Sequence, residues 1–468
     1  MCKSLNLSAL LVIISFITLK SKEPSIVTLP LKVIKNGFEK YPIKNETHLT
    51  YETEVEVQTI FGKKIRKLLQ ETHGIIKKLD CLLFAAPITI GSEQKFNVIL
   101  DTGSVDLWVP KNGSEDEYKI ENHYYPSKSM TGHETSDKFS IQYGTGSTEG
   151  VFYTDYISFI TDHTDKIKFG VASKTCFDVE GADGIMGLAR SYSNKEQNSK
   201  IWTMKKNGKI SSKSFSFKFI SEHEVDMFLG DEHPDFSADS NVNSTNNTNH
   251  TAQCKLLKGG AYEDLLWTCR LYQFGLINTD RTKNATANCG FSFLFDTGSN
   301  IMWLPIETLE LLSNELSQFN CQKSIVDEES KIICNDVNIL PDIFIEVGDH
   351  YLIIDKEKMF YEYEEKDNVN ASHKYILNIA FQKSLQIALI GQPFFTLFHT
   401  RFDYENKVLK FYSEEPDKII FSSTKPDEKE PINWQKVGIA VAAALAFFII
   451  ICCFYRTCRK MCCSKKKV

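Results

Sequence analysis

Apolar and polar positions divide the chain into segments of different character. Residues 5–19 form an apolar run that follows Lys3 and gives way to the polar stretch 20–23. A short basic start and an apolar stretch of this length predict a signal peptide over 1–21. An uncleaved anchor is the alternative, because no small-x-small cleavage site follows. Near the other end, 437–455 holds 19 residues without a charge. As a helix rising about 1.5 Å per residue it reaches about 28 Å, close to the hydrocarbon thickness of a bilayer. Trp434 stands before it and Tyr455 at its end, where interfacial aromatics sit. Arg456, Arg459, Lys460 and three lysines at 465–467 follow. The positive-inside rule therefore places 456–468 in the cytosol and the preceding chain in the lumen or outside.

Between these runs the pattern changes twice. Residues 22–79 are rich in Lys and Glu and poor in aromatics. Within them, 25–34 reads as a strand, and its Pro30 predicts an edge or terminal position. The second half of 52–78 reads as helical, with Ile60, Ile65, Leu68 and Leu69 at mixed helical spacing. From Asp80 onward, short apolar strands alternate with Gly, Asn and Ser turns. The predicted strands are 84–90, 95–100, 139–143, 151–159, 214–220, 225–229, 267–277, 291–295, 343–347, 374–379, 385–390 and 408–412. Sustained helical periodicity is best over Glu307–Leu316. The sum is a mostly β architecture. Residues 239–251 are polar and of low complexity, hence a solvated loop. Residues 414–431 are charged and contain Pro, as a stalk before the membrane does.

Composition narrows the function classes. The chain has 468 residues, 42% hydrophobic and 24% charged, which is globular rather than disordered. Its net charge of -6 argues against a nucleic-acid binder. Of 13 cysteines, Cys2 lies in the leader and five lie at 452–463, as candidate acylation sites. The remaining seven are Cys81, Cys176, Cys254, Cys269, Cys289, Cys321 and Cys334, an odd number for an oxidising compartment. Glycosylation sequons at Asn45, Asn112, Asn243, Asn246, Asn249, Asn284 and Asn370 agree with that compartment. The 11 histidines are scattered and form no His-x-x-x-His pair, so no metal or cofactor is expected in the chemistry.

One internal repeat carries chemistry. Residues 98–110 read VILDTGSVDLWVP, and 293–305 read FLFDTGSNIMWLP. Each copy runs from an apolar strand into Asp-Thr-Gly-Ser and out through a hydrophobic-Trp-hydrophobic-Pro strand. A lone Asp-Thr-Gly is usually a turn. Two aspartates that each end a buried strand are different, because a buried carboxylate needs a partner or a proton. Brought together, Asp101 and Asp296 share one proton, so one pKa rises and the other falls. The ionised member can take a proton from water, and the protonated member can donate to a carbonyl oxygen. Gly103 and Gly298 permit close backbone approach. Thr102 and Thr297 can hydrogen-bond across the two turns.

With these residues in place, the sequence resembles the pepsin-like aspartic proteases from about Leu83 to Tyr412. The resemblance implies a bilobal, mostly β fold with pseudo-two-fold lobes, plus the one C-terminal transmembrane helix read above. It implies that Asp101 and Asp296 are catalytic and that Thr102, Gly103, Ser104, Thr297, Gly298 and Ser299 support them. Tyr143, Gly144 and Thr145 resemble the family's flap, with Trp108 bracing Tyr143. Residues 183–189, with Ile185, resemble the strand that threads the first Asp turn, and Leu389-Ile390-Gly391 its counterpart. Ile99, Tyr143, Ile185, Leu294 and Ser299 become pocket walls, favouring bulky apolar residues beside the cleaved bond. Cys321 and Cys334 look like the second-lobe disulfide. The implied divisions are a signal peptide 1–21, prosegment 22–79, N-terminal lobe 80–235 and low-complexity loop 236–253. A C-terminal lobe 254–415, stalk 416–436, transmembrane helix 437–455 and cytosolic tail 456–468 complete the chain. Partners are peptide or protein substrates, statine-type inhibitors and a membrane, with no cofactor, metal or nucleic acid.

The chain departs from the family pattern in places. No cysteine lies within 111–128, where a first-lobe disulfide is usual. Gln392 stands where many members carry Asp. Cys254 and Cys269 are a candidate pair bridging a hairpin. The Asn- and Lys-rich loops are similar to those of AT-rich protists, plasmepsin-like proteins among them. A silent pepsin fold that binds peptides and a single-pass receptor or adhesin are the alternative readings. Loss of cleavage on replacing either aspartate, with folding retained, separates them from a protease.

Overall fold

A computed structural model describes residues 81–422, less short internal stretches of which 237–249 is the longest. It also describes the backbone of the strands Val27–Asn36, Glu54–Val57, Ile65–Leu68 and Gly74–Ile76. These residues all belong to one unit that ends at Ser423.

Alternation along the strands decides which side chains reach which core, since neighbours point to opposite faces. In Cys81–Ile90, Phe84, Ala86, Ile88 and Ile90 enter the main core. Leu83 and Ala85 point the other way and join a second cluster with Ile99, Trp108, Phe139 and Ile185. The next strand, Gln94–Asp101, repeats the split: Phe96, Val98 and Leu100 face the main core, Ile99 the second cluster. Being covered on both faces, it is apolar without interruption over 98–100. Ser292–Phe295 behaves alike, with Phe293 and Phe295 in the main core and Leu294 against Leu389, Leu266 and Ala189.

Among the described residues the strands form one sheet of 13, one of nine, one of five and one pair. The large sheet begins with Thr251–Lys255, Val408–Tyr412 and His399–Asp403, continues through Ser214–Ser221 and Glu224–Leu229, and ends on His133–Tyr143. It therefore joins strands from both halves of the sequence around one apolar core. The nine-stranded sheet belongs to the second half. There the helix Glu307–Leu316, predicted from its periodicity, buries Leu309, Leu312 and Leu316 on one face. Disulfides join Cys321 to Cys334, directly opposite each other in a hairpin, and Cys254 to Cys269. Beside the latter pair the chain meets itself antiparallel at one bridge, Leu256 with Cys269. Thr251–Lys255 pairs with Val408–Tyr412 and Thr268–Ile277 with Ser292–Phe295, so this bond stitches two sheets together. Cys176 bonds to no other cysteine among the described residues.

Several expectations need correction. The strand bearing Pro30 is not at an edge: Val27–Asn36 lies between Glu224–Leu229 and Cys81–Ile90. Pairing with Cys81–Ile90 begins only at Lys32, so one flank of Pro30 has no neighbour to which an N–H is owed. The helix expected in the second half of 52–78 is replaced by strands. Ile65–Leu68 pairs with Glu54–Val57, and Gly74–Ile76 adds to the edge of Phe360–Glu365. Val55, Val57, Ile65, Ile75 and Ile76 are β-branched, and strand partners outweigh a helix too short to be stable alone. The predicted loop 236–253 gives way to a strand already at Thr251. His163–Thr175 was not expected, although Ile167, Phe169 and Val171 alternate at period two and are buried. The short helix Lys200–Lys206 was also absent from the expectation. Among the described residues no helix is long and apolar enough to cross a membrane. The expected signal peptide and the expected span at 437–455 lie outside the described residues.

Candidate active site

Asp101 is the last residue of Gln94–Asp101, and Asp296 follows directly on Ser292–Phe295. Both turns are built in the same way. Gly184–Gly187 runs parallel to 98–101 and antiparallel to Leu107 and Trp108. It thus passes between the strand that enters the first Asp turn and the strand that leaves it. Ala388–Ile390 does the same in the second half, parallel to Ser292–Phe295 and with Leu389 opposite Trp303. The threading strands also hold the aspartate backbones. Leu188 N–H donates to Asp101 O at 2.7 Å, and Asp296 N–H donates to Ile390 O at 2.9 Å.

Two turns so placed lock together through four reciprocal hydrogen bonds. Thr297 N–H donates to Thr102 Oγ1 at 2.9 Å, and Thr102 N–H to Thr297 Oγ1 at 3.2 Å. Thr102 Oγ1 in turn donates to Phe295 O at 2.8 Å, and Thr297 Oγ1 to Leu100 O at 2.6 Å. Both threonines are fully buried. Thr297→Val keeps the shape but removes a hydroxyl that accepts one bond and donates another. It leaves a buried N–H and a buried C=O unpaired, at about 1–3 kcal/mol each. We expect Thr297→Val to lower stability by at least about 2 kcal/mol, read as a reduced urea midpoint at unchanged m-value. Thr102→Val should add little more in the double variant, because the same lock is already broken.

The glycines bring the carboxylates together. Gly103 N–H donates to Asp101 Oδ1 and Gly298 N–H to Asp296 Oδ1, each at 2.8 Å. Each glycine also faces the opposite carboxylate. A Cβ at Gly103 would lie 2.6 Å from the Asp296 carboxyl, and one at Gly298 2.5 Å from Asp101 Oδ1. No larger residue fits either place without moving an aspartate.

The carboxylates do not titrate independently. Enclosure by protein, and next the charge of Asp101 beside it, hold the Asp296 carboxyl well above the usual carboxylate range. The pair therefore retains one proton through mildly acidic pH, which supplies a base and an acid side by side. The sign of the stability effect follows. In the window from the ordinary carboxylate pKa near about 4 up to the raised value, the folded chain binds more protons than the unfolded one. Stability thus falls as pH rises through that window. Asp296→Asn should flatten this loss, so that urea midpoints compared at about pH 4 and about pH 7 differ less than in the parent.

The other predicted residues take these places. Trp108 Nε1 donates to the Tyr143 hydroxyl at 2.9 Å. Burial, and next the Asp101 charge, push the Tyr143 phenol far up, so it stays neutral. Tyr143 pairs with Gly146 across a hairpin. Gly144 and Thr145, between them, lie outside the described residues. Ile99 and Ile185 share the apolar cluster of Trp108, with Tyr143 packed against it. Leu294 lies apart, in the cluster of Leu266 and Leu389. The serines hold the turns through their backbones, Ser299 N–H reaching Asp296 O at 3.4 Å and Ser104 O accepting from Ala189 N–H at 2.9 Å. Ser299 Oγ donates to Ile301 O at 2.9 Å, within its own turn. Ser104 Oγ is enclosed and is bonded to neither carboxylate.

Some contributors were not legible in advance. Ile120 and Phe139 complete the cluster around Ile99 and Ile185. Trp267 Nε1 donates to Leu188 O at 2.8 Å, tying the second half to the exit of the first threading strand. Gln392, noted above only as a departure, donates from its amide to Thr297 O at 2.7 Å and so supports the second turn.

Comparisons with known proteins agree with this geometry. The model of a family described as "Eukaryotic aspartyl protease" matches residues 83–413. The chain is 24% identical over 411 residues to gastricsin of Oryctolagus cuniculus, covering 85% of this chain and 98% of that one. It is 28% identical over 310 residues to "Probable vacuolar protease A" of Arthroderma benhamiae, covering 64% and 71% of the two. It is 35% identical over 146 residues to "Secreted aspartic protease 3" of Candida albicans, covering 28% and 36%.

Proposed function

From the premise that this chain belongs to the eukaryotic aspartyl protease family and is an aspartic-type endopeptidase, we propose that it cleaves extended protein segments with a water activated between Asp101 and Asp296. The observation that carries this reading is the reciprocal lock of two Asp-Thr-Gly turns, in which each glycine faces the opposite carboxylate.

The ionised carboxylate takes a proton from the water, whose oxygen attacks the peptide carbonyl carbon. Asp296, holding its proton, donates to the carbonyl oxygen. The tetrahedral intermediate collapses when a proton reaches the leaving nitrogen and the C–N bond breaks. The glycine N–H groups hold each carboxylate in place, and Thr102 and Thr297 fix the spacing of the pair. Tyr143, kept neutral and braced by Trp108, closes over a substrate held by strand-like backbone hydrogen bonds. The apolar group of Ile99, Ile120 and Ile185 favours a bulky hydrophobic residue beside the cleaved bond. Statine-type inhibitors bind the same pair.

The segment 22–79 is a prosegment in this reading, supported by the pairing of Val27–Asn36 and Gly74–Ile76 with strands of the enzyme body. The lobes run over 80–235 and 254–415. The apolar run 437–455 tethers the enzyme by its C-terminus, with the catalytic body on the lumenal or outer side of a secretory-pathway membrane. Relatives named as vacuolar and secreted proteases support that route. Exposed Asn112 is a glycosylation acceptor there. A tethered enzyme meets membrane-proximal substrates, so we assign it a processing role rather than bulk digestion.

The test uses the ectodomain ending near Glu430, assayed on a mixed peptide library from about pH 4 to about pH 7. Cleavage next to bulky apolar residues, blocked by a statine-type inhibitor, is expected. A folded, prosegment-free ectodomain that binds peptides and cleaves none contradicts the proposal and favours the peptide-receptor reading.

A further inference from the structure

A second cluster of chemically capable side chains lies on other elements. His233 and Asp235 flank and enter the turn Pro234–Phe236, while His399 opens the strand His399–Asp403. The sequence separates His399 from Asp235 by 164 residues, yet His399 Nδ1 lies 3.0 Å from Asp235 Oδ2. His233 Nδ1 lies 3.2 Å from Asp235 Oδ1. We propose that His233 Nδ1, the Asp235 carboxylate and His399 Nδ1 bind a divalent transition-metal ion, for which zinc is the best match.

Four observations support it. First, the donor set of two imidazoles and one carboxylate suits zinc rather than calcium or magnesium. Second, the spacing is close to what zinc needs. Donors about 2.0–2.1 Å from a tetrahedral zinc stand about 3.3 Å apart. Each imidazole lies about that far from one oxygen of the carboxylate, and the three donor atoms, one from each residue, lie within 4.8 Å of one another. Third, Asp235 N–H donates to His233 Nδ1 at 3.3 Å, which makes that nitrogen the unprotonated one. Its lone pair, held only by this long bond, is the one that a metal would take in exchange. Fourth, His399 Nε2 lies 2.8 Å from Ser216 Oγ, so the ring is oriented by a second partner while Nδ1 faces the cluster. The rings of Phe228 and Phe236 pack against the imidazoles, with centroids 4.4 Å from His233 and 4.6 Å from His399.

Lys218 is the competing cation. Its Nζ lies 3.0 Å from Asp235 Oδ2 and 2.8 Å from Glu414 Oε1. When the metal takes the Asp235 carboxylate, Lys218 keeps Glu414 as its partner. Three protein donors leave a fourth position for water. Such an ion clips the turn at 233–235 to a strand from the far end of the sequence, a stabilising role separate from the aspartate pair.

The full-length protein, stripped with a chelator, is titrated with zinc chloride and separately with cobalt chloride. We expect a zinc equivalent that His233→Ala removes, and a cobalt complex with the strong visible bands of a four-coordinate site. Zinc at 100 times its Kd should raise Tm by about 3 °C in the parent and not in His233→Ala. Ser216→Ala should weaken zinc by about 10-fold. Peptide cleavage by His233→Ala should equal that of the parent. Because His233 is partly exposed, this variant keeps the test usable if His399→Ala does not fold. Zinc stoichiometry and Tm shift unchanged in His233→Ala, or no cobalt bands in the parent, would overturn the proposal.

Discussion

Replacing Asp101 by Asn is expected to reduce kcat/KM for peptide cleavage by about 10⁴-fold while leaving the fold intact. An amide can neither take the proton of the water nor share one with Asp296. Asp296→Asn should lose activity to the same extent, because the two carboxylates act as one unit. The double variant should be no worse than either single one. Both single variants also change stability in the same direction. Either replacement removes one partner of the coupled pair, so each variant gains stability relative to the parent as pH rises. Kinetics and urea unfolding on the same preparations check both statements. Full activity in Asp101→Asn refutes the assignment.

Gly298→Ala carries the second large effect, although it leaves every ionisable group in place. The new methyl would stand 2.5 Å from Asp101 Oδ1, well inside contact distance. Asp101 ends a buried strand whose backbone is held by Leu188, and its Oδ1 is fixed by the Gly103 N–H. The side chain is too short to move aside without breaking that bond. Displacing a reacting group by about 1 Å costs about 10²-fold, and we expect at least that loss in kcat. KM should change less, because the apolar walls around Ile99 and Ile185 are untouched. Gly103→Ala should behave in the same way through Asp296, since its Cβ would lie 2.6 Å from that carboxyl. A Gly298→Ala enzyme with the parental kcat shows that the close approach of turn and carboxylate is not needed for turnover.

The candidate site was largely legible in the sequence because its parts are local and duplicated. A strand, Asp-Thr-Gly-Ser and a Trp-bearing strand occur twice, and two-fold pairing of such copies brings Asp101 and Asp296 together. The threonine lock follows from the same symmetry. Which atoms of the serines would hold the turns was not legible: the Ser299 hydroxyl takes the nearer Ile301 carbonyl, while its N–H reaches Asp296 O. Contacts between distant segments were not legible at all. Trp267 reaches Leu188, and His399 reaches Asp235, across separations that no local pattern marks. The errors in 22–79 have a further cause. Short β-branched stretches such as Ile65–Leu68 have no decisive periodicity, and their state is set by whichever strand edge is available. Pro30 shows the limit of a sound local rule: proline avoids strand interiors, yet a staggered register lets one flank go unpaired.

The pH dependence of kcat/KM tests the central claim most directly, since it reports the protonation state of the free enzyme's acid and base. Measured at constant ionic strength on one cleaved peptide, activity should rise as the first proton leaves the aspartate pair and fall as the second leaves. The falling limb should lie above the ordinary carboxylate range, because Asp296 holds its proton beyond it. A profile that stays at its maximum well above neutrality, with no falling limb, would contradict a mechanism in which one proton shared by Asp101 and Asp296 drives the reaction.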